Sequence, residues 1–484
     1  MTITIVGLGA GDVHDLTRRA WKALETSPKV YLRTRQHPCV PDLPNSAAYV
    51  SFDAIYERFV KFEEVYQAIV DQILTDAQHT DLVYAVPGDP FVGEATTRRI
   101  MEGAQSLGIS VEIVHGISFI EPMLRYAGID AIDHLQILDA ITVGMMHHPP
   151  INPDAPALIA QVYNRQIASE LKLTLMNQYP DEFPLKLIHR AGTGAVNVES
   201  LKLHEIDHSE QIGHLTSLYL PALGGMSSFE QFQEVIAHLR APEGCPWDRA
   251  QTHESLRPFL IEEVYEVLEA IDSGDMAALA EEFGDLLLQI VLHTQIAIEH
   301  GEFYMTDILS HISRKMIRRH PHVWGTTEVN GNAAQVLANW EAIKRAEKQE
   351  QGQPRESILD GAPKGLPAMM LAYRYQAKAA KVGFDWDHIE DVFAKVQEEL
   401  EEVRAAQTPE QRFEEIGDLL FALINWIRFL QVDDPESALR EANLKFYRRF
   451  RHIEQRVSEQ GKDWKAYTLT ELDHFWNEAK ALGL

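Results

Sequence analysis

Around residues 221–228, where Pro221, Gly224, Gly225, Ser227 and Ser228 cluster, the periodicity of the chain changes, and that change limits the available folds more than any other feature. Before it, short apolar runs at 2–8, 82–86, 111–114, 158–162, 187–189 and 217–220 alternate with helix-periodic stretches at 16–24, from about Glu94, and at 167–176. Such alternation predicts an α/β domain whose helices cover a mainly parallel sheet. From Phe229 onward strand signals almost vanish, and long helix-periodic segments punctuated by Pro, Gly and Asn predict an all-α region. A stretch rich in Gln, Gly and Pro at 349–367 divides that region in two. The expected organisation is therefore multidomain, with an α/β domain at 1–222 and two all-α domains at 229–350 and 367–484.

The two all-α parts share a pattern of carboxylates. Glu262, Glu263 and Glu266 are followed, after a break at Asp272, Ser273 and Gly274, by Glu282 and Asp285; Glu398, Glu399 and Glu402 are followed, after Thr408 and Pro409, by Glu415 and Asp418. Spacings of three and four place side chains on one helical face, so two helices folded back on each other would join the clusters. Like charges so concentrated are either solvated or neutralised by a cation. Repetition of the whole arrangement, each time before Leu-Leu, favours the cation. The two sets are then Glu263, Glu266, Glu282, Asp285 and Glu399, Glu402, Glu415, Asp418, hard oxygen donors suited to one or more Mg²⁺ or Mn²⁺ ions.

A basic helix follows each set, with Arg314, Lys315, Arg318 and Arg319 after the first and Lys445, Arg448, Arg449 and Arg451 after the second. In an acidic protein these are candidate phosphate contacts. Trp247 stands ahead of the first set and Phe384 with Trp386 ahead of the second, as candidates to stack on a base.

With a formal net charge of −28 over 484 residues, extended nucleic acid and anionic membranes are poor partners, whereas a small phosphate ligand carried with metal ions is not excluded. Cys39 and Cys245, far apart, build neither a disulfide framework nor a zinc site and fit a reducing cytosol. The start of the chain reads as a strand rather than a signal peptide, and the most apolar stretches, 286–298 and 419–430, are too short to span a bilayer.

In the α/β part, Gly7, Gly9 and Gly11 follow the first strand, Gly88 follows another and Gly116 a third. Glycines there let backbone approach a ligand at the carboxyl ends of strands. The succession Gly7-Leu-Gly-Ala-Gly-Asp12, Leu16-Thr17, Gly88-Asp89-Pro90 and Gly116-Ile117-Ser118 resembles the tetrapyrrole methylase family of S-adenosylmethionine-dependent methyltransferases over about residues 1–222. The resemblance implies two α/β lobes enclosing the methyl donor, with Gly9, Gly88, Asp89, Ser118 and Gly192 at the cofactor and Asp12 on the substrate side. Ala10 stands where many members have proline, and Gly93-Glu94 replaces the usual Phe-Gly.

Over residues 229–484, Cys245-Pro-Trp-Asp248, Gln251-Thr-His253, both carboxylate patterns, Arg318-Arg-His-Pro-His322 and Val382-Gly-Phe-Asp-Trp386 resemble the tandem all-α MazG family; the methylase-then-MazG order resembles the YabN-type fusions. That resemblance implies Mg²⁺-dependent hydrolysis of an NTP or dNTP to the monophosphate and pyrophosphate, sites built from paired helices, and a homodimer. The residue chemistry agrees: carboxylate-held metal neutralises the triphosphate and activates a water, Glu262 or Glu398 accepts the proton, and the basic helix stabilises the departing pyrophosphate. In the family the second repeat is the better supported catalytic unit, so Glu398, Glu399, Glu402, Glu415 and Asp418 are favoured over the first set. The competing reading is a regulatory module whose helical repeats mediate dimerisation and whose methylase-like lobe senses a ligand without turnover.

Overall fold

In a computed structural model of the protein, residues 1–44, 47–59, 61–350 and 357–484 are described; residues 351–356 of the Gln/Gly/Pro-rich divider lie outside them. Packing resolves two compact units, Met1–Leu309 and Ser310–Leu484.

The first unit begins with two five-stranded sheets. The first contains β1 (Thr2–Gly7), β2 (Lys29–Leu32), β3 (Ala48–Ser51), β4 (Leu82–Val86) and β5 (Ser110–Val114). Their order is β3-β2-β4-β1-β5 and every pairing is parallel. Parallel strands need crossovers, so both faces are covered. On one face Ile3, Ile5, Leu82, Tyr84 and Val86 meet Ile69 and Ile73 of helix Phe62–Ala77 and Ile100 of helix Ala95–Leu107. On the other, Val6, Leu8, Val30, Leu32, Val83 and Ala85 meet Ala20 and Leu24 of helix Arg18–Thr26. The chain leaves β1 and β4 in opposite directions, which makes the crevice beyond their carboxyl ends a topological switch point, where open α/β sheets place ligands.

The second sheet contains β6 (Gln136–Asp139), β7 (Ala157–Ala160), β8 (Pro184–His189), β9 (Asn197–Lys202) and β10 (Thr216–Leu220), in the order β6-β7-β10-β8-β9. Here the mainly parallel expectation does not hold: only β6 and β7 run parallel, while β10 is antiparallel to β7 and β8, and β8 to β9. No helix separates β8 from β9, and such a short connection permits only an antiparallel return. The core of this lobe packs Leu187, Leu218 and Leu220 against Ala168, Leu171 and Leu175 of helix Arg165–Leu175.

The glycine-rich segment at 221–228 is pinned rather than loose. The Asp154 carboxylate accepts the amides of Ser227 (2.9 Å) and Ser228 (2.8 Å), and Ser228 caps helix Phe229–Arg240 through the amide of Gln231 (3.1 Å). Helices Arg257–Ser273 and Met276–His300 then fold back on each other, joined through Gly274 in the left-handed conformation and Asp275, whose carboxylate caps the second helix. The second unit repeats this arrangement with helices Ile389–Ala405 and Pro409–Phe429, the latter opened by a Thr408–Gln411 capping box with Pro409 in its first turn. Helices Pro435–Gln460 and Leu469–Ala481 pack together around Ile453, Val457 and Phe475.

The three glycine loops of the first sheet meet one another. A Cβ on Gly7 would lie 2.5 Å from the Gly88 carbonyl oxygen, and one on Gly116 only 2.4 Å from it, whereas one on Gly88 would meet nothing nearer than 3.9 Å. Backbone obstructs the first two, so Gly7→Ala and Gly116→Ala are each expected to cost about 1–3 kcal/mol of stability. Gly88→Ala is expected to cost about 1 kcal/mol, through its left-handed φ of 66° alone. Denaturant unfolding of the three variants tests that order.

Candidate active sites

Each helical hairpin brings carboxylates together. Glu263, Glu266 and Glu282 offer oxygens all within 4.8 Å of one another, and so do Glu399, Glu402 and Glu415. The fourth predicted members, Asp285 and Asp418, are outside these triplets, each one helical turn beyond its glutamate. Asp285 nevertheless acts on the first set: burial first, then the charges of Asp285 and Glu266, push the Glu263 carboxyl above its ordinary value. Burial, Glu266 and Asp285 do the same to Glu282. In the second set burial, then Glu399 and Glu415, raise Glu402. Glu262 and Glu398 are exposed beside their triplets.

The surroundings of these oxygens fit a divalent cation. Glu399 is buried, and among the described residues its Oε2 has no hydrogen-bond partner; beside the first set, buried Gln289 turns its amide toward Glu263 (3.4 Å) while its own Oε1 is likewise unpartnered among them. An oxygen withdrawn from water without a donor is costly, and a bound cation removes that cost.

The two sets differ in one residue that motif reading passed over. Lys395 lies 2.9 Å from Glu399 and 3.1 Å from Glu398, and these hydrogen bonds, Glu399 first, raise its pKa. Four residues before Glu263 the first repeat has Phe259, which packs edge-on to Trp247 at 6.0 Å. The Lys395–Glu399 spacing is an ordinary i,i+4 pair and was visible in sequence. Trp247 is half exposed, Phe384 is 81% exposed, and Trp386 adjoins Asp385, which pairs with Arg428.

The basic helices divide in the same way. Arg318 and Arg319 are not presented as free phosphate contacts: both pair with buried Glu347, at 2.7 and 2.6 Å, and Arg319 also covers Trp340. Lys315 is partly buried. On helix Pro435–Gln460, Lys445 and Arg448 are exposed, Arg448 lining an open groove with Tyr447, Arg451 and His452. Arg449 donates to the Leu484 oxygen (2.7 Å) and stacks over Trp476.

In the α/β lobes, Gly9 and Gly88 exchange backbone hydrogen bonds (3.3 and 2.9 Å), which ties the first two glycine loops. Asp89 ties the second to the third: it accepts the Phe91 amide (2.9 Å) and the Gly116 amide (3.2 Å) and pairs with His115 Nδ1 (2.8 Å). Ser118 is buried, its hydroxyl accepting the Ile120 amide (3.0 Å) and donating to Glu121 (2.5 Å). The Asp12 amide donates to Gly192 of the other lobe (3.0 Å), and its carboxylate accepts the His14 amide (2.9 Å). The predicted cofactor residues are thus brought to one crevice, with the Asp89 and Ser118 side chains holding loops together. Glu94, the departure from the family pattern, caps helix Ala95–Leu107 and forms a buried pair with Arg33 at 3.5 Å.

The sequence model of tetrapyrrole (corrin/porphyrin) methylases matches residues 2–207, and that of the MazG nucleotide pyrophosphohydrolase domain matches residues 251–324. The chain is 41% identical to the protein YabN of Bacillus subtilis over 99% of this chain and 98% of that protein. It is 44% identical to the nucleoside triphosphate pyrophosphohydrolase/pyrophosphatase MazG of Thermotoga maritima, over 52% of this chain and 95% of that one. With the nucleoside triphosphate pyrophosphohydrolase of Escherichia coli K12 the identity is 42%, over 53% of this chain and 98% of that one. Among the described residues no helix is long and apolar enough to cross a membrane.

A carboxyl whose pKa is raised on folding contributes stability that is present below its ordinary value of 4.5 and lost as pH rises through the raised value. Metal-free protein at pH 7 is therefore expected to melt higher as Glu263→Gln or Glu282→Gln than as wild type. Mg²⁺ should raise the wild-type melting temperature and leave the double variant unmoved in that transition, as calorimetric scans with and without chelator will show.

Proposed function

Because the chain belongs to the YabN family, in which a tetrapyrrole methylase-like domain precedes a MazG-like helical region, we propose that it is a Mg²⁺-dependent nucleoside triphosphate pyrophosphohydrolase joined to an S-adenosylmethionine-dependent methyltransferase. The observation that carries the first activity is the convergence of three carboxylates in each hairpin, with the buried Glu399 Oε2 lacking a donor among the described residues. The division into domains at 1–222, 229–350 and 367–484 is part of the same reading.

Glu399, Glu402 and Glu415 would hold divalent metal, with Asp418 next along the helix; in the first repeat Glu263, Glu266, Glu282 and Asp285 are the equivalents. Bound there, Mg²⁺ supplies charge neutralisation for a triphosphate and lowers the pKa of a water. Glu398, held beside Glu399 by Lys395, would accept a proton from an attacking water. Lys445 and Arg448, exposed on their helix, would bind phosphate oxygens and stabilise the charge on the departing pyrophosphate. Phe384 and Trp386, exposed near the start of the hairpin, offer faces to a base.

We assign turnover to the second repeat. Glu399→Gln with Glu402→Gln is expected to cut pyrophosphate release from NTPs or dNTPs with Mg²⁺ by about 10²–10³-fold. Full activity in that variant, with loss in Glu263→Gln/Glu266→Gln, would move the site to the first repeat; no release by the wild type from any NTP, dNTP or divalent metal would sink the reading.

The protein is further taken to be a cytoplasmic homodimer. Leu400, Phe413, Ile416 and Leu420 are all exposed on the carboxylate-bearing hairpin, an apolar face of the kind that a second copy covers. Phe413→Lys should shift the sedimenting mass from dimer toward monomer.

For the α/β part, the support is the crevice at the switch point, where Gly9, Gly88, Gly116 and Gly192 are gathered and a Cβ on Gly88 would meet nothing nearer than Ser118 Cα at 3.9 Å. Methyl donor binding there places Asp12 on the acceptor side.

A further inference from the structure

The loop that closes this crevice from the second lobe is held from beneath by a buried relay. His189, the last residue of β8, is 1% exposed. Its Nδ1 is 3.0 Å from the Thr216 hydroxyl at the start of β10, and its Nε2 is 3.0 Å from the Glu199 carboxylate of β9. The Thr216 hydroxyl accepts the Gly213 amide (2.9 Å), so its own hydrogen is free for His189 Nδ1, and Nε2–H is left to serve Glu199. Ser209 and Gln211 donate to the same carboxylate. Burial alone would raise Glu199, but the hydrogen bonds from Ser209 and His189 outweigh it and hold the carboxyl below its ordinary range. Three strands and the 209–213 loop are thereby fastened at one point, directly before residues 190–194.

Those residues adopt a conformation that needs fastening. Arg190 has a φ of 55°, uncommon for a side chain with a Cβ; its amide is tied to Leu215 (2.7 Å), and its carbonyl oxygen accepts both the amide (3.1 Å) and the hydroxyl (2.9 Å) of Thr193. From this bend the loop reaches the first lobe, where Gly192 accepts the Asp12 amide and lies so close to Ala10 that a Cβ on it would be 2.5 Å from the Ala10 Cβ.

We infer that His189, Glu199 and Thr216 are positioning residues, which hold the 190–194 loop against Ala10–Asp12 and so set the closed geometry of the methyl donor crevice. This rests on the crevice being the donor site, although the loop geometry is measurable without the donor.

The test uses the full-length chain as Thr216→Val, Thr216→Ser and Glu199→Gln. Amide hydrogen exchange reads the loop. Thr216→Val and Glu199→Gln should accelerate exchange in peptides covering residues 8–16 and 190–196 by about tenfold, the worth of one buried hydrogen bond. Strands β7 and β8 should keep wild-type protection, and Thr216→Ser, which retains the hydroxyl, should restore the loop. Calorimetric titration with S-adenosylmethionine should show a matching loss of affinity in Thr216→Val, and pyrophosphate release should stay at the wild-type rate in all three. Unchanged exchange in the two peptides, or exchange raised equally through the whole lobe, overturns the positioning role. Wild-type protein that takes up no S-adenosylmethionine, while the loop responds as expected, overturns the donor-site reading instead.

Discussion

Mutual repulsion of carboxylates is the constraint on which the helical half depends. Two unit charges about 4 Å apart repel by about 4 kcal/mol at the effective dielectric of a protein surface. Each hairpin holds three carboxylates within 4.8 Å. Burial of apolar side chains along the rest of the hairpin must offset this. In the first repeat Val291, Leu292 and Ile296 do so, packing with Ile236, Leu256 and Met305 beyond the charged end of the hairpin. In the second, Lys395 compensates part of the charge from within, while Val392 and Val396 are buried on the same face of that helix as Glu399. The two hairpins thus meet the same electrostatic problem with different neighbours, Lys395 beside the second set and Phe259 at the matching place in the first, and in both the crowded carboxyls respond by raised pKa values, Glu263 and Glu282 in one and Glu402 in the other.

The α/β half depends on close approach of backbone. Gly7, Gly88 and Gly116 sit at the carboxyl ends of three neighbouring strands and leave no room for a side chain at Gly7 or Gly116. Part of the glycine signal thus reports loops packing on loops, and of these three only Gly88 has space for a Cβ without a clash. Asp89 illustrates the same economy: one oxygen accepts the Phe91 amide of its own loop, and the other meets His115 Nδ1 and the Gly116 amide of the neighbouring loop, so both of its oxygens are engaged in holding loops together.

Local periodicity explains which features were legible before the structure. Helical spacing is a property of consecutive residues, so the pairs Glu263–Glu266, Glu282–Asp285, Glu399–Glu402 and Glu415–Asp418 were legible from it, as was the change of periodicity near residue 229. Strands β2, β3 and β6 are four residues long and polar or exposed in part; their state comes from pairing with distant strands, and no local signal marked them. Strand β9 alternates buried-in-part and exposed residues with Asn, Glu, Ser and Lys, and β8 is its one strand partner among the described residues. The fate of the basic residues was equally non-local. Arg318 and Arg319 read as a phosphate cluster because Glu347, 28 residues beyond Arg319, joins them only through folding.

The sequence by itself determined the change from α/β to all-α, the pairing of carboxylates on helical faces and the glycine punctuation of three strand ends, because each is written in residues a turn or less apart. Only the tertiary structure decided that the carboxylates meet as triplets, that Lys395 belongs to one set and Phe259 stands at the matching place in the other, and that His189 anchors the loop closing the glycine crevice. Those outcomes depend on which helices and strands come to lie side by side, and the energies that settle this are contacts between residues tens of positions apart.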